Sequence, residues 1–214
     1  MRVLGLETST AHGSVAVFAY GELVFEERFL ADRSHSSTLF AALEKARATA
    51  ARFDRIAVGL GPGSYAGVRI SIAAALGLNF VLDAELVGIP SVAALDAPVP
   101  AYLAIGDARR DAFYFTAVDH GRCIAGPALD SEEGVRQAIT ELGLPVFGTE
   151  PIPAFPSALV AIPSAAIIAR LAAQDCGILQ RGDLEPLYLR EPHITQPGKR
   201  GSLPGGFPLA RTKE

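Results

Sequence analysis

The stretch AYLAIGDARRDAFYFTAV, residues 101–118, repeats the arrangement with which the chain begins. In RVLGLETSTAHGSVAV, residues 2–17, an apolar strand ends at Glu7, and a short turn leads into a second apolar strand. In the later copy the strand ends at Asp107, one hundred residues after Glu7, and a turn follows again. Two acidic strand ends in the same setting predict an internal duplication.

The remainder of each copy follows the same order of elements. After its first two strands, each copy shows a third strand, a helix, a strand and a second helix, which gives a β-β-β-α-β-α unit. Each unit can bury a mixed sheet beneath its helices, so the sequence predicts an α/β protein with two subdomains and a cleft between them. This plan resembles the actin and sugar-kinase folds, the actin-like (ribonuclease H-like) class. We assign residues 1–98 to the first subdomain, 99–190 to the second, smaller one, and 191–214 to a flexible tail.

The composition of the 214-residue chain argues against several classes of protein. The net charge of −4 gives no excess of positive charge that would favour direct binding of a nucleic acid. Cys123 and Cys176 lie far apart and are interpreted as buried thiols rather than a disulfide framework or a zinc site. The segment 151–169 is free of charge but contains four prolines, and Glu7 interrupts the N-terminal apolar run. We therefore expect a cytoplasmic protein without a membrane segment.

A glycine-rich loop, GLGPGSYAGVR (residues 59–69), follows a strand of the first unit and opens onto a helix. It is not a P-loop, because no lysine follows a GxxxxG spacing, and the glycines do not have the spacing of a dinucleotide fingerprint. Gly61 and Gly63 can adopt positive φ and leave backbone N–H groups at a helix start, which suits an anion. The same glycines suit a tight strand-to-helix connection, and the sequence leaves both interpretations open.

The helix after this loop is apolar on more than one side. Small residues such as Ala74 and Gly77 leave parts of its surface without large side chains, while Val68 and Leu78 place apolar side chains on more than one side of it. A helix that is apolar nearly all round is buried on two sides, one of them against its own sheet. The other side needs either the helix that begins near Ser36 or a partner protein.

Several stretches together resemble one family. LGLETSTAHGSVAV, SHSSTL, AVGLGPGSYAGVRISIAAALGL, LVGIPSVAAL, GDARRDAFYF and PLYLRE occur in the order and spacing of the TsaB (YeaZ) family, over residues 1–190. The resemblance implies a bacterial actin-like protein that helps to install N6-threonylcarbamoyladenosine at position 37 of ANN-decoding tRNAs. In that pathway one enzyme forms threonylcarbamoyl-adenylate, the metal-bearing paralogue TsaD transfers the group to adenosine, and a small ATPase, TsaE, joins the pair.

The resemblance also implies a non-catalytic subunit that binds and activates TsaD, self-associates through the same helices, and meets tRNA only through the complex. The helix surface then becomes the interface of a homodimer or heterodimer. To it we assign residues of the first two helices: Leu39, Leu43, Val68, Ile70, Ser71, Ala74, Ala75 and Leu78. A long charged side chain cannot fit between close helices, so Ala74→Arg is expected to abolish pairing without unfolding the monomer.

The candidate chemical residues argue against catalysis by this chain alone. TsaD-like proteins bind a metal with two histidines four residues apart, and the matching positions here are Ser91 and Leu95, of which leucine cannot be a ligand. We therefore predict no catalytic residue, no metal and no cofactor. Glu7 could still hold a water or pair with Arg69 or Arg109. Contacts to an anion or a nucleotide stay open for Glu7, Gly61, Gly63, Arg69 and Asp107.

Two other functions compete with the activator. A small-molecule kinase or ATPase of the actin-like fold would use the cleft between the repeats and hold magnesium with Glu7 and Asp107. A metallopeptidase is the third hypothesis, which the leucine at the metal position disfavours.

Overall fold

The computed structural model describes residues 1–30, 35–50 and 52–189, which form two sheets and four α-helices. The first sheet contains β1 (Arg2–Glu7), β2 (His12–Ala19), β3 (Glu22–Leu30), β4 (Arg55–Gly59), β5 (Glu85–Ile89) and β11 (Gln180–Arg181). The second contains β6 (Ala101–Asp107), β7 (Phe113–Asp119), β8 (Arg122–Asp130), β9 (Val146–Gly148) and β10 (Leu159–Val160). The helices are α1 (His35–Thr49), α2 (Tyr65–Leu82), α3 (Glu132–Leu142) and α4 (Ala165–Ala173), and a 3₁₀ turn spans Ser91–Ala94.

The two sheets share one topology. The first has the order β11-β5-β4-β1-β2-β3, with β2 antiparallel and β4 parallel to the central β1. The second has the order β10-β9-β6-β7-β8, with β7 antiparallel and β9 parallel to the central β6. This correspondence confirms the predicted duplication and the actin-like (ribonuclease H-like) α/β class.

One face of the first sheet is covered by α1 and α2. The strands β1 and β4 are buried almost throughout, which explains why their sequences are continuously apolar rather than alternating. The core between the sheet and the helices contains Leu6 and Val58 from the strands and Leu39 and Ile72 from the helices. The two helices also contact each other, so α1 provides one of the two neighbours that the sequence proposes for α2.

The other face of the first sheet packs against α4, which lies between the two sheets. Ile168 and Leu171 of α4 belong to one apolar cluster with Val3 of the first sheet and Tyr102 of the second. The approach of α4 to β1 is close, because a side chain at Gly5 would overlap a backbone carbonyl of α4. The two subdomains therefore share this second core.

The structure differs from the predicted division of the chain at one point. Residues 99–190 include α4 and β11, yet α4 packs on the first sheet and β11 pairs with β5 in that sheet. The strands β6 to β10 all lie in the second sheet. Local sequence patterns identify α4 as a helix, but they do not reveal which sheet it covers. The predicted tail, 191–214, lies outside the described residues.

The helix α2 begins at Tyr65, inside the glycine-rich stretch of residues 59–69. Ser64 caps it, because its side-chain oxygen accepts a hydrogen bond from the Gly67 N–H at 3.1 Å. This cap directs the helix from the glycine loop across the sheet.

Candidate functional site

The helix α2 carries an apolar face that the described part of the chain leaves uncovered. Its 18 residues bury only Gly67, Val68, Ser71, Ile72, Ala74 and Ala75. Near its C-terminal end Phe80 is 94% exposed and Val81 is 75% exposed. By length and composition alone, α2 is the one described helix that could cross a membrane, a test that the core helix of a soluble protein also passes.

The structure corrects the residues predicted for the partner interface. Six of the eight are buried inside the monomer: Leu39, Leu43, Val68, Ser71, Ala74 and Ala75. Only Ile70 and Leu78 are partly exposed. A helix that is apolar nearly all round gives no sequence signal for which side meets its own sheet. The proposed Ala74→Arg substitution would therefore place a charge in the first core, and it cannot test pairing alone.

The uncovered face of α2 follows a regular spacing. Ala66, Ala73, Leu76, Gly77 and Phe80 are exposed and recur at intervals of three, four and seven residues, which aligns them along one side of the helix. Phe40 of α1 adds a further exposed apolar side chain. We call Ala66, Ala73, Leu76, Gly77 and Phe80 the outer face. None of them belongs to the predicted set, although large apolar side chains at the end of an otherwise smooth helix are a visible signal.

The opposite side of α2 is tied to the turn between β1 and β2. The Thr8 hydroxyl donates a hydrogen bond to the Gly67 carbonyl oxygen at 2.7 Å and lies 2.5 Å from the Ser71 hydroxyl. The Ser64 N–H donates to the Ser9 carbonyl oxygen at 2.6 Å. These bonds fix the helix on its sheet, so the outer face has a defined orientation.

The same turn lines a cleft of about 830 Å³ between the two subdomains. The cleft is bordered by the β1–β2 turn, the glycine loop, the β6–β7 turn and the segment from Leu187 to Leu189. Of the residues predicted to contact an anion, Gly63 and Asp107 line the cleft, whereas Glu7, Gly61 and Arg69 do not. The structure thus brings two of the five together in one cavity.

Glu7 is fully buried beneath the cleft rather than exposed in it. Its Oε1 accepts a hydrogen bond from the Ser9 N–H at 2.5 Å, and its Oε2 has no hydrogen-bond partner among the described residues. Burial raises the pKa of the Glu7 carboxyl, and the hydrogen bonds with Ser9 oppose that shift. The ion pair with Arg69 or Arg109, which the sequence leaves open, is not formed, because the Glu7 side chain is buried.

The glycine loop uses most of its N–H groups internally. The Gly61 N–H donates to the Ser91 hydroxyl at 2.9 Å, the Ser64 N–H is held by Ser9, and the Gly67 N–H is held by the Ser64 cap. Gly61 has a φ of 88°, the left-handed region that favours glycine. The loop therefore forms a tight strand-to-helix connection, in which these three N–H groups are bonded within the protein.

Of the residues at the predicted metal and acid positions, two are enclosed by the fold and one lines the cleft. Ser91 is buried and accepts the Gly61 N–H, and Leu95 is buried in the second core. Asp107 accepts a hydrogen bond from the Arg109 N–H at 2.6 Å. Within residues 1–30, 35–50 and 52–189, no cluster of three or more His, Cys, Asp or Glu residues could hold a metal ion.

Comparison with sequences places these features in a family. The family model described as TsaD, tRNA N6-adenosine threonylcarbamoyltransferase, matches residues 29–138, more than half of the chain. An uncharacterized protein of Mycobacterium leprae is 32% identical over 177 residues, which cover 74% of this chain and 49% of that relative. The chain therefore spans about half the length of the Mycobacterium leprae protein. An uncharacterized protein of Mycobacterium tuberculosis is 30% identical over 200 residues, which cover 89% of this chain and 92% of that relative. The tRNA threonylcarbamoyladenosine biosynthesis protein TsaB of Haemophilus influenzae is 32% identical over 99 residues, 44% and 42% of the two chains.

Two solved structures from Pseudomonas aeruginosa share the fold over nearly their whole length. One is an uncharacterized protein with similarity to the peptidase YEAZ, with a TM-score of 0.70 and 26% identity; 88% of this chain and 99% of that chain are covered. The other is YeaZ, with a TM-score of 0.65, 25% identity and the same coverage. The chain therefore belongs to the TsaB (YeaZ) group of the TsaD family, a family named for tRNA threonylcarbamoyladenosine biosynthesis.

Proposed function

We propose that this chain is a non-catalytic subunit that binds a TsaD-type transferase and activates it in threonylcarbamoyladenosine formation. The observation that carries the proposal is the outer face of α2, an exposed apolar surface on a helix whose other side is fixed to the sheet. Apolar surface of this kind on a folded protein marks a site of protein association. In the proposed assembly, a TsaE-like ATPase joins the pair, tRNA is met only through the complex, and the assembly acts in the cytoplasm.

The chemistry of the cleft supports a scaffold over the kinase alternative. The glycine loop offers no lysine, and three of its N–H groups, those of Ser64, Gly67 and Gly61, bond to Ser9, Ser64 and Ser91. Glu7 is buried and does not line the cavity. A phosphoryl-transfer site depends on cations and N–H groups that are free to meet the transferring phosphate. The same outer face would also serve self-association, since one apolar surface suits either partner.

The test is a reconstituted modification reaction. It contains the adenylate-forming enzyme, the TsaD-type and TsaE-type proteins and substrate tRNA, with or without this chain. The proposal expects modified adenosine only when the chain is present, and none from the chain alone. Equal product in its absence would refute the activating role.

A matched pair of variants links the activity to the outer face. Ala73 is exposed on α2, so Ala73→Arg adds a long cation to the outer face without entering the core. Gln137 is exposed on α3, and Gln137→Arg adds the same cation on the second subdomain. We expect Ala73→Arg to abolish partner binding and activation and Gln137→Arg to change neither. If both variants bind the partner like the wild type, the interface lies elsewhere.

A further inference from the structure

Two tyrosines and an arginine form a stacked cluster where α2 begins. The Arg69 Nε donates a hydrogen bond to the Tyr188 hydroxyl at 2.8 Å. The Arg69 guanidinium carbon lies 4.3 Å from the centre of the Tyr65 ring and 5.9 Å from that of Tyr188. The two ring centres are 5.6 Å apart, with planes inclined by 32°. We call Tyr65, Arg69 and Tyr188 the tyrosine–arginine stack.

The segment that carries Tyr188 is held firmly on both sides of it. The Leu187 N–H donates to the Leu60 carbonyl oxygen at 2.8 Å, and Leu187 packs against the first core. Leu189 packs against the second core. Tyr188 thus stands between two anchored neighbours, and its ring has little freedom to leave Arg69.

The stack continues the outer face of α2 toward the cleft. Tyr65 and Arg69 lie four residues apart, and Ala73 follows four residues later on the same side of the helix. Tyr65 is 53% exposed and Tyr188 is 40% exposed, so both rings are accessible from solvent. Tyrosine and arginine are, with tryptophan, the residues enriched among the hot spots of protein interfaces.

The charge of Arg69 has no acidic partner in the described part of the chain. Arg28, Arg55 and Arg136 each pair with a carboxylate, whereas among the described residues Arg69 contacts the two tyrosines and pairs with no carboxylate. The hydrogen bond to Tyr188 raises the pKa of Arg69, so the cation is retained. The Arg69 Nε bonds to Tyr188, while neither terminal nitrogen bonds to a residue within 1–30, 35–50 or 52–189. These two nitrogens can bind a carboxylate in a bidentate manner.

We propose that the tyrosine–arginine stack is an anchor for an aspartate or glutamate side chain of the protein that docks on the outer face of α2. This inference rests on the proposed function and specifies its interface. The two rings hold the guanidinium in place before binding, so little side-chain entropy is lost when the carboxylate arrives. The docking protein thus combines apolar contacts along α2 with one ion pair at the end near the cleft.

The test is the dissociation constant of the complex between the full chain and its TsaD-type partner, measured by calorimetry at low and high salt. We expect Arg69→Gln to raise the dissociation constant by about 10- to 100-fold and to weaken its salt dependence. Arg122 is exposed on β8, and Arg122→Gln serves as the matched control with no change. Melting temperatures of both variants establish that they are folded.

A second pair tests the aromatic part of the anchor. Tyr188→Ser should weaken binding by about tenfold, a typical cost at a hot spot. Tyr20 is 81% exposed in the turn between β2 and β3, and Tyr20→Ser should leave binding unchanged. If Arg69→Gln binds within twofold of the wild type while Ala73→Arg does not bind, the anchor is wrong and the outer face stands. If neither substitution affects binding, the proposed interface itself fails.

Discussion

Replacing Gly67 by alanine measures how closely α2 is seated on the β1–β2 turn, and Gly77 provides a control on the same helix. A Cβ at Gly67 would overlap the Thr8 carbonyl oxygen, a backbone atom that cannot move away without shifting β1. The Thr8 hydroxyl also donates to the Gly67 carbonyl oxygen at 2.7 Å, so any displacement of α2 strains that bond. At Gly77 a Cβ meets no atom within 4 Å.

The two substitutions should have opposite signs. Alanine is favoured over glycine in a helix interior by about 1 kcal/mol, so Gly77→Ala should raise the free energy of unfolding by that amount. At Gly67 the same gain is opposed by overpacking, which costs about 1–3 kcal/mol. A weakened Thr8 hydrogen bond costs about 1 kcal/mol more. We therefore expect Gly67→Ala to lower the free energy of unfolding by about 2 kcal/mol.

Urea unfolding followed by circular dichroism gives both values. The measurement should be repeated at several protein concentrations, because self-association through the outer face would make the apparent stability depend on concentration. If Gly67→Ala proves as stable as Gly77→Ala, α2 does not rest on the β1–β2 turn as described. The orientation of the outer face would then need to be reconsidered.

Three further predictions concern stability. Because burial raises the Glu7 pKa, the wild type loses stability as pH rises from the ordinary glutamate range through the raised value. The loss is about 1.4 kcal/mol for each unit by which the folded pKa exceeds the unfolded one. Glu7→Gln should lack this loss in unfolding curves between pH 4 and 8, and parallel pH profiles of the two proteins would contradict the prediction. Hydrogen bonds from Arg181 and Arg55 lower the Asp175 pKa, so Asp175→Asn should be less stable than the wild type at pH 7. This difference in stability should disappear as pH falls below the ordinary aspartate range. A difference that persists there would argue against the ion pairs. Ser131 caps α3 by accepting the hydrogen bond of a backbone N–H, so Ser131→Ala should cost about 1 kcal/mol in the same assay while Ser131→Thr retains most of the stability.

Much of the fold was predictable because it repeats. The strands that end at Glu7 and Asp107 are the central strands of the two sheets, and each unit builds its sheet around the corresponding strand. The short strands β10 and β11 were not predicted, because a strand of two residues is too short to show an alternation of apolar and polar side chains. The return of α4 to the first sheet depends on contacts between residues more than a hundred positions apart, which local patterns do not encode.

The candidate site was predictable at the level of the helix but not of its faces. Val68 and Ala74 are as apolar as the exposed residues of α2, and only the position of the sheet decides which of them a partner can reach. The burial of Glu7 was also beyond the sequence, since the same acid at a strand end suits a cleft or a core. Tyr188 was missed because its contact with Arg69 joins residues far apart in the chain.

The placement of α4 and β11 has a consequence for synthesis on the ribosome. The first subdomain needs residues 165–181 to cover one face of its sheet and to extend its edge. Until that segment has left the ribosome, the apolar side chains of Val3 and Val87 on that face lack the helix that packs on them in the native protein. A nascent chain with such a surface is prone to aggregation. Ribosome-bound chains truncated before residue 165 should therefore recruit chaperones, and chains extended past residue 181 should release them.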